Sequence, residues 1–133
     1  MTAATSDRNT PRREKGLLCV AIAAATTVHN GLIACVNAAG YVVEGSTATD
    51  LIYLGRFEET VTNPGAAGDV SVHIRTECAF QFENSTTDPV TQANFGDYCF
   101  IEDNQTVAAT DGTGTRSKAG RVVGIDEHGV WVE

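Results

Sequence analysis

No stretch of this 133-residue sequence is apolar for long enough to cross a bilayer: the longest such run, Leu17 to Ala25, spans nine residues, about half of what a membrane-spanning helix needs. Positive charge is scarce as well. Nine Lys and Arg stand against seventeen Asp and Glu, a formal net charge of -8, which repels phosphate backbones and anionic lipid surfaces over most of the molecule. Nucleic acid and membrane are therefore disfavoured as main partners. The four cysteines, Cys19, Cys35, Cys78 and Cys99, form no CxxC pair, and each falls in an apolar or alternating stretch. That pattern argues for free thiols packed in the core, in a reducing compartment, over zinc or a disulfide framework. No 20 to 50 residue repeat exists, which removes solenoids and propellers. No GxSxG elbow is present, and Asp111-Gly112-Thr113-Gly114-Thr115-Arg116 lacks the GxxxxGK[ST] spacing and the following helix of a phosphate cradle, reading instead as a flexible loop.

The chain does have the make-up of a soluble domain. Hydrophobic residues are 42% and charged residues 20% of the total, and a chain of this size buries roughly two-thirds of its unfolded surface without disulfides or metal. One domain over residues 17–133 is expected, preceded by a basic arm over residues 1–16. That arm holds Arg8, Arg12, Arg13 and Lys15 against Asp7 and Glu14, a balance of +2, which leaves -10 on the rest. Arg12 to Ala25 imitates the order of a secretory signal, weakly, with an apolar part at the short end of the usual range.

Strand periodicity dominates the domain. From Val70 to Phe82, Val70, Val72, Ile74, Thr76, Cys78, Phe80 and Phe82 share one parity and polar residues occupy most of the other. Period two means β-structure with one wet face, either one long bent strand or two strands with a kink near Thr76 and Glu77. Short apolar runs follow the same logic at Leu17–Ile22, Leu32–Val36, Tyr41–Val43, Leu51–Phe57, Tyr98–Ile101, Arg121–Ile125 and Val130–Val132. Asn30-Gly31, Ala39-Gly40, Asn63-Pro64-Gly65, Asp88-Pro89 and Glu127-His128-Gly129 supply turns between them. Seven or eight short strands point to an all-β fold, a small antiparallel β-barrel or β-sandwich. Helix competes with strand only in Ala-rich Leu17–Val28. Residues 44–50 and 106–119 read as loops.

Candidate chemistry is sparse. His29, His73 and His128 lie beside turns or on a polar strand face with no partner at ligand spacing, so exposed, unreactive histidines are expected. Glu102–Asp103 and Asp126–Glu127 are adjacent pairs, which in a strand point to opposite faces and read as solvated strand ends. Asn84-Ser85-Thr86 and Asn104-Gln105-Thr106 match the glycosylation pattern, which has no weight without a secretory signal. No catalytic residue, cofactor site or metal site is assigned, and the protein is not expected to be an enzyme. Trp131, the only tryptophan, either closes one end of the core or, if Val130 and Val132 face inward, faces outward near another chain.

The order of the pieces adds a resemblance. ATTVHNGLIACVNAAGYVVEGS, then LIYLGRFEE, FQFENS and CFIEDNQTVAATDGTGTRSKAGRVVGIDEHGVWVE together resemble the small capsid decoration (cement) proteins of tailed bacteriophages and related prophages. The likeness covers roughly residues 17–133 and rests on turn and strand wording, not on a catalytic signature. It implies a structural virion protein, made in the host bacterial cytoplasm, that sits on the outer surface of the capsid and reinforces contacts between major capsid protein subunits. It further implies a homo-oligomer, with a trimer favoured by the three-fold sites of capsids. Arg8, Arg12, Arg13 and Lys15 are then candidates for gripping the shell, and Trp131 for contact between subunits. A virion-surface carbohydrate- or receptor-binding module using Tyr41, Tyr53 or Trp131 is the alternative, with a small β-barrel enzyme behind it.

Overall fold

The computed structural model describes residues 2–133; Met1, the first residue of the expected arm, lies outside the described residues. Twelve strands follow one another among those residues: β1 Leu17–Ala21, β2 Thr26–Val28, β3 Ile33–Val36, β4 Val42–Glu44, β5 Ile52–Phe57, β6 Val61–Asn63, β7 Ser71–Arg75, β8 Phe80–Asn84, β9 Tyr98–Ile101, β10 Thr106–Ala108, β11 Lys118–Asp126 and β12 Gly129–Val132. A single 3-10 turn, Gln92–Asn94, interrupts them. The fold is all-β. An open five-stranded antiparallel sheet runs β1-β7-β5-β3-β4, a closed five-stranded barrel runs β10-β8-β12-β11-β9, and β2 and β6 form a separate ribbon. The only parallel pairing of two strands joins β10 to β8 among the described residues.

The long alternating segment resolves into two strands. β7 lies between β1 and β5 in the open sheet, and β8 lies between β10 and β12 in the barrel. Between them Glu77 takes φ 59°, so the kink expected near Thr76 and Glu77 is where the chain leaves one sheet for the other. The inward parity holds on both sides of it: Val72, Ile74, Phe80 and Phe82 are buried. Leu17–Val28 is strand on both sides of a turn, because β7 supplies a full ladder for residues 17–21 and β6 one for residues 26–28. Tertiary pairing outweighs the helix propensity of alanine here.

Three short strands were not legible in the apolar runs: β2 (TTV), β6 (VTN) and β10 (TVA). Each has three residues and at least one threonine, too little for a periodicity signal. β10 corrects the expectation of a loop over residues 106–119, since Thr106, Val107 and Ala108 are all buried as the strand that closes the barrel.

Two clusters form the core. Phe57 is fully buried with Ile22, Val28, Ala34, Val42, Val72 and Ile74 in one. The barrel interior is filled by Phe80, Phe82, Val90, Cys99, Ile101, Val107, Val122, Val130 and Val132, joined by Ile33 and Cys35. Strand β3, between β5 and β4, therefore serves both clusters, Ala34 one way and Ile33 and Cys35 the other, which is why three successive residues are inaccessible to solvent. Arg56 strengthens the junction, its guanidinium carbon 5.0 Å from the Phe80 ring centroid. Asn63, fully buried at the end of β6, uses its Nδ2 to reach the carbonyls of Ile22, Ala23 and Ala66 at 3.2, 3.1 and 2.9 Å. A polar side chain is tolerated there because its hydrogen bonds are made.

The cysteines divide. Cys35 and Cys99 are buried as expected, and burial pushes both thiols up to about 12. Cys19 and Cys78 are exposed, a correction to the expectation of four core residues. Cys19 takes the outward parity of β1, and Cys78 falls in the break between β7 and β8, where no neighbouring strand covers it.

Candidate functional site

The basic arm emerges from the body beside β1. Residues 2–15 are exposed along their whole length and contain no helix or strand. Arg8 Nη1 donates to Thr10 Oγ1 at 2.6 Å, within the arm itself. The root of the arm is fastened: Thr76 Oγ1 donates to the Lys15 carbonyl at 2.6 Å, and the Thr76 N–H donates to the Gly16 carbonyl at 2.8 Å. Lys15 Nζ lies 3.3 Å from Glu77 Oε1. Thus the left-handed bend at Glu77 that separates the two sheets also holds the arm. Arg13 turns back over β1, where it lines a shallow groove of about 360 Å³ with Leu17, Leu18, Cys19, Val20 and His73. Of the four expected arm cations, then, Lys15 and Arg13 touch the body and Arg8 and Arg12 project from it.

Trp131 takes the outward position that its parity requires. Val130 and Val132 are fully buried, while Trp131 is 39% exposed on the outside of the barrel. Its indole lies over Gly124, where a side chain's Cβ would come within 3.0 Å of Cδ1. Its Nε1 donates to Asp126 Oδ2 at 3.3 Å. Asp126 also accepts from the His128 N–H and from Gln81 Nε2, both at 2.8 Å. The His128 N–H contributes most to holding the Asp126 carboxyl below its ordinary range. Asp126 thus belongs to a bonded hairpin end and is not merely solvated.

Glu102 corrects the same expectation more strongly. Its Oε1 accepts from Ser85 Oγ at 2.7 Å and from Arg116 Nη2 at 3.3 Å. Arg116, only 14% exposed, also donates Nη1 to Asp88 Oδ2 at 2.9 Å and to the Thr110 carbonyl at 3.1 Å. Asp88 Oδ2 receives the Thr110 hydroxyl at 2.6 Å in addition. The Thr110 hydroxyl, its N–H and the guanidinium together hold the Asp88 carboxyl below its ordinary value. The glycine-rich segment expected as a flexible loop is therefore tied at Thr110 and Arg116. Apart from Arg116 and Thr110, six residues apart, these partners are separated by fourteen or more residues, so no local spacing announces them.

The remaining candidates do not converge. His29 Nδ1 meets Glu44 Oε2 at 3.0 Å, His73 Nδ1 meets Glu59 Oε1 at 3.0 Å, and His128 Nε2 lies 3.4 Å from Glu127. Each histidine has a different carboxylate. Among the described residues no group of three or more His, Cys, Asp and Glu is placed to hold a metal ion. Tyr53 packs edge-on against Phe82, with centroids 6.4 Å apart, and its hydroxyl is buried without a hydrogen-bond partner. Burial raises that hydroxyl's pKa above its ordinary range. Sequence reasoning missed a second groove of about 410 Å³, where Tyr98 is 55% and Ile52 61% exposed and Lys118 Nζ lies 4.8 Å from the Tyr98 ring centroid. The signal for Tyr98 was its parity, opposite to buried Cys99 and Ile101.

No family model, curated protein or solved structure matches the chain. Among the described residues no helix is long and apolar enough to cross a membrane.

Proposed function

We propose that this protein decorates the outer surface of a phage capsid, binding the major capsid protein and stabilising contacts between its subunits. The observation that carries the reading is the arm: four cations on a fully exposed segment, fastened at Lys15 and Gly16 to an acidic all-β body. An extended segment of this kind reaches acidic patches on a neighbouring surface and acquires order on contact. The body's charge of -10 suits an outward position, since packaged DNA on the inner side would repel it. The chemistry asked of such a protein is adhesion, for which tied loops and exposed side chains suffice. The carbohydrate alternative draws less support, because Tyr53, one of its three aromatics, is half-buried with its ring against Phe82 and its hydroxyl shut away from solvent.

Co-sedimentation tests the reading. Shells lacking the protein are mixed with the full chain and with a chain lacking residues 2–14, at low and at physiological salt. The full chain should pellet with shells, and loss of the arm or added salt should weaken attachment. Full retention of the armless chain at physiological salt would refute the role given to Arg8, Arg12 and Arg13, and failure of the full chain to bind any shell would refute the proposal.

A further inference from the structure

We propose that Cys19 is a thiol-modification site, where His73 takes the thiol proton and a small disulfide bearing carboxylates leaves half of itself behind as a mixed disulfide. The inference does not rest on the capsid reading. It begins from the register of two strands. Cys19 of β1 stands directly opposite His73 of β7, and both are exposed on the outer face of the open sheet. The ladder joins Gly16 to Thr76 and Ile22 to Val70 by hydrogen bonds, so the even-numbered residues of β1 bond towards β7 and the pair Cys19–His73 is a non-hydrogen-bonded one. Facing side chains come closest at such a position, with Cβ atoms about 4.5–5.5 Å apart. The backbone of His73 is turned the other way: the Glu58 N–H donates to its carbonyl at 3.1 Å, and its own N–H donates to Glu59 Oε1 at 3.1 Å.

Glu59 orients the imidazole. Its Oε1 lies 3.0 Å from His73 Nδ1, a contact that keeps the proton of the neutral ring on Nδ1 and leaves Nε2 as the acceptor. The two bonds from His73 hold the Glu59 carboxyl below its ordinary range. Among the described residues Nε2 has no hydrogen-bond partner, and the side chain facing this ring across the ladder is the Cys19 thiol. Nucleophile, base and orienting carboxylate are thus supplied by β1, β7 and the residues after β5. Cys78, the other exposed thiol, lies between β7 and β8 with no histidine opposite it. The groove holding Cys19 and His73, about 360 Å³, is lined also by Leu17, Leu18, Val20 and Arg13, a size that suits a small molecule. β4 meets β1 beyond it, at Ile22 and Ala23. Arg13, unlike Lys15, has no carboxylate partner among the described residues, so its guanidinium is free for a carboxylate of the ligand. In the step itself Cys19 Sγ gives its proton to His73 Nε2 and attacks one sulfur of the disulfide. A new S–S bond forms as the ligand's own breaks, and the departing sulfur carries off the electron pair and takes the proton from His73. Cys19 is oxidised, the departing half is reduced, and no other oxidant is required.

Cys78 provides the internal control. In a Cys78→Ser chain Cys19 is the one exposed thiol, and in a Cys19→Ser chain Cys78 is, with Cys35 and Cys99 buried in both. At neutral pH the uncharged reagent dithiodipyridine should react with Cys19 at least about tenfold faster than with Cys78, and His73→Gln should remove that advantage. Dithiobis(nitrobenzoate), which carries carboxylates, should show a further gain at Cys19; Arg13→Gln should abolish this gain and leave the dithiodipyridine rate unchanged. Mass spectrometry of the full chain incubated with oxidised glutathione should find its adduct on Cys19 and not on Cys78, and circular dichroism should confirm that every variant keeps the fold. Equal rates at the two thiols, or a Cys19 rate indifferent to His73→Gln, would overturn the site. An Arg13→Gln chain that treats the two reagents alike with the native one would overturn the carboxylate-bearing class of ligand.

Discussion

The barrel and the open sheet are built from strands of similar length and similar composition, yet they end differently. In the barrel every strand has two neighbours, because β10 pairs with β9 on one side and β8 on the other. In the open sheet the ladder thins at β1, which on its outer side meets only β4, through the Ile22–Val42 bridge and the Ala23 N–H. Closure spends the hydrogen-bonding capacity of the backbone inside the molecule, whereas the open sheet leaves the outer groups of Leu17 and Cys19 without a neighbouring strand. The arm leaves from the N-terminal end of β1, at the margin of that sheet, while the barrel has no margin at all.

Phe57→Ala gives the largest expected perturbation of that comparison. Emptying the cluster beneath the open sheet should cost about 3–5 kcal/mol in urea unfolding. A single transition should move as a whole, because Ile33, Cys35 and Arg56 tie the sheet to the barrel; a separate barrel transition would show the two regions to be independent. Gly129→Ala tests the barrel itself. Gly129 has φ 147°, and a Cβ there would run into the Phe82 carbonyl, so a loss of about 2–4 kcal/mol is expected, read as a lowered midpoint. Next is Arg116→Ala, which strands Asp88 and Glu102 and should cost about 1.5–3 kcal/mol. Asp88 adds a pH dependence. Its folded pKa is depressed, so the stability it contributes is present above its ordinary value of 3.8 and is lost as pH falls through the lower folded value. Thermal melts in acid should show that loss, less steeply in Arg116→Ala. Smallest is Lys15→Ala: the Lys15–Glu77 pair is largely exposed, and its removal should change stability by under about 0.5 kcal/mol. A larger change would mean that the arm's root supports the fold.

What the sequence disclosed follows the range of its signals. Alternation is local, so the inward face of Val72, Ile74, Phe80 and Phe82 and the kink near Glu77 could be read, while Trp131 was left between core and surface. The destination of each strand is not local. Nothing in Val70–Phe82 says that its two halves belong to different sheets, because that depends on partners at residues 17–21 and 129–132. Thr106–Ala108 looked like loop for the same reason, its burial being conferred by β8 and β9. Of the site, the cations of the arm were plain and their anchorage was not: Thr76 stands 61 residues from Lys15.

The division between sheets also follows the order of the chain. All strands of the open sheet and the ribbon lie before residue 76, and all barrel strands lie after residue 79. During synthesis the first assembly can therefore form before any part of the second has been made. The barrel has no such freedom, since β12 must enter between β8 and β11. A nascent chain halted before Gly129 would carry a finished sheet and a gaping half-barrel, with the sticky edges that the mature molecule has almost everywhere removed.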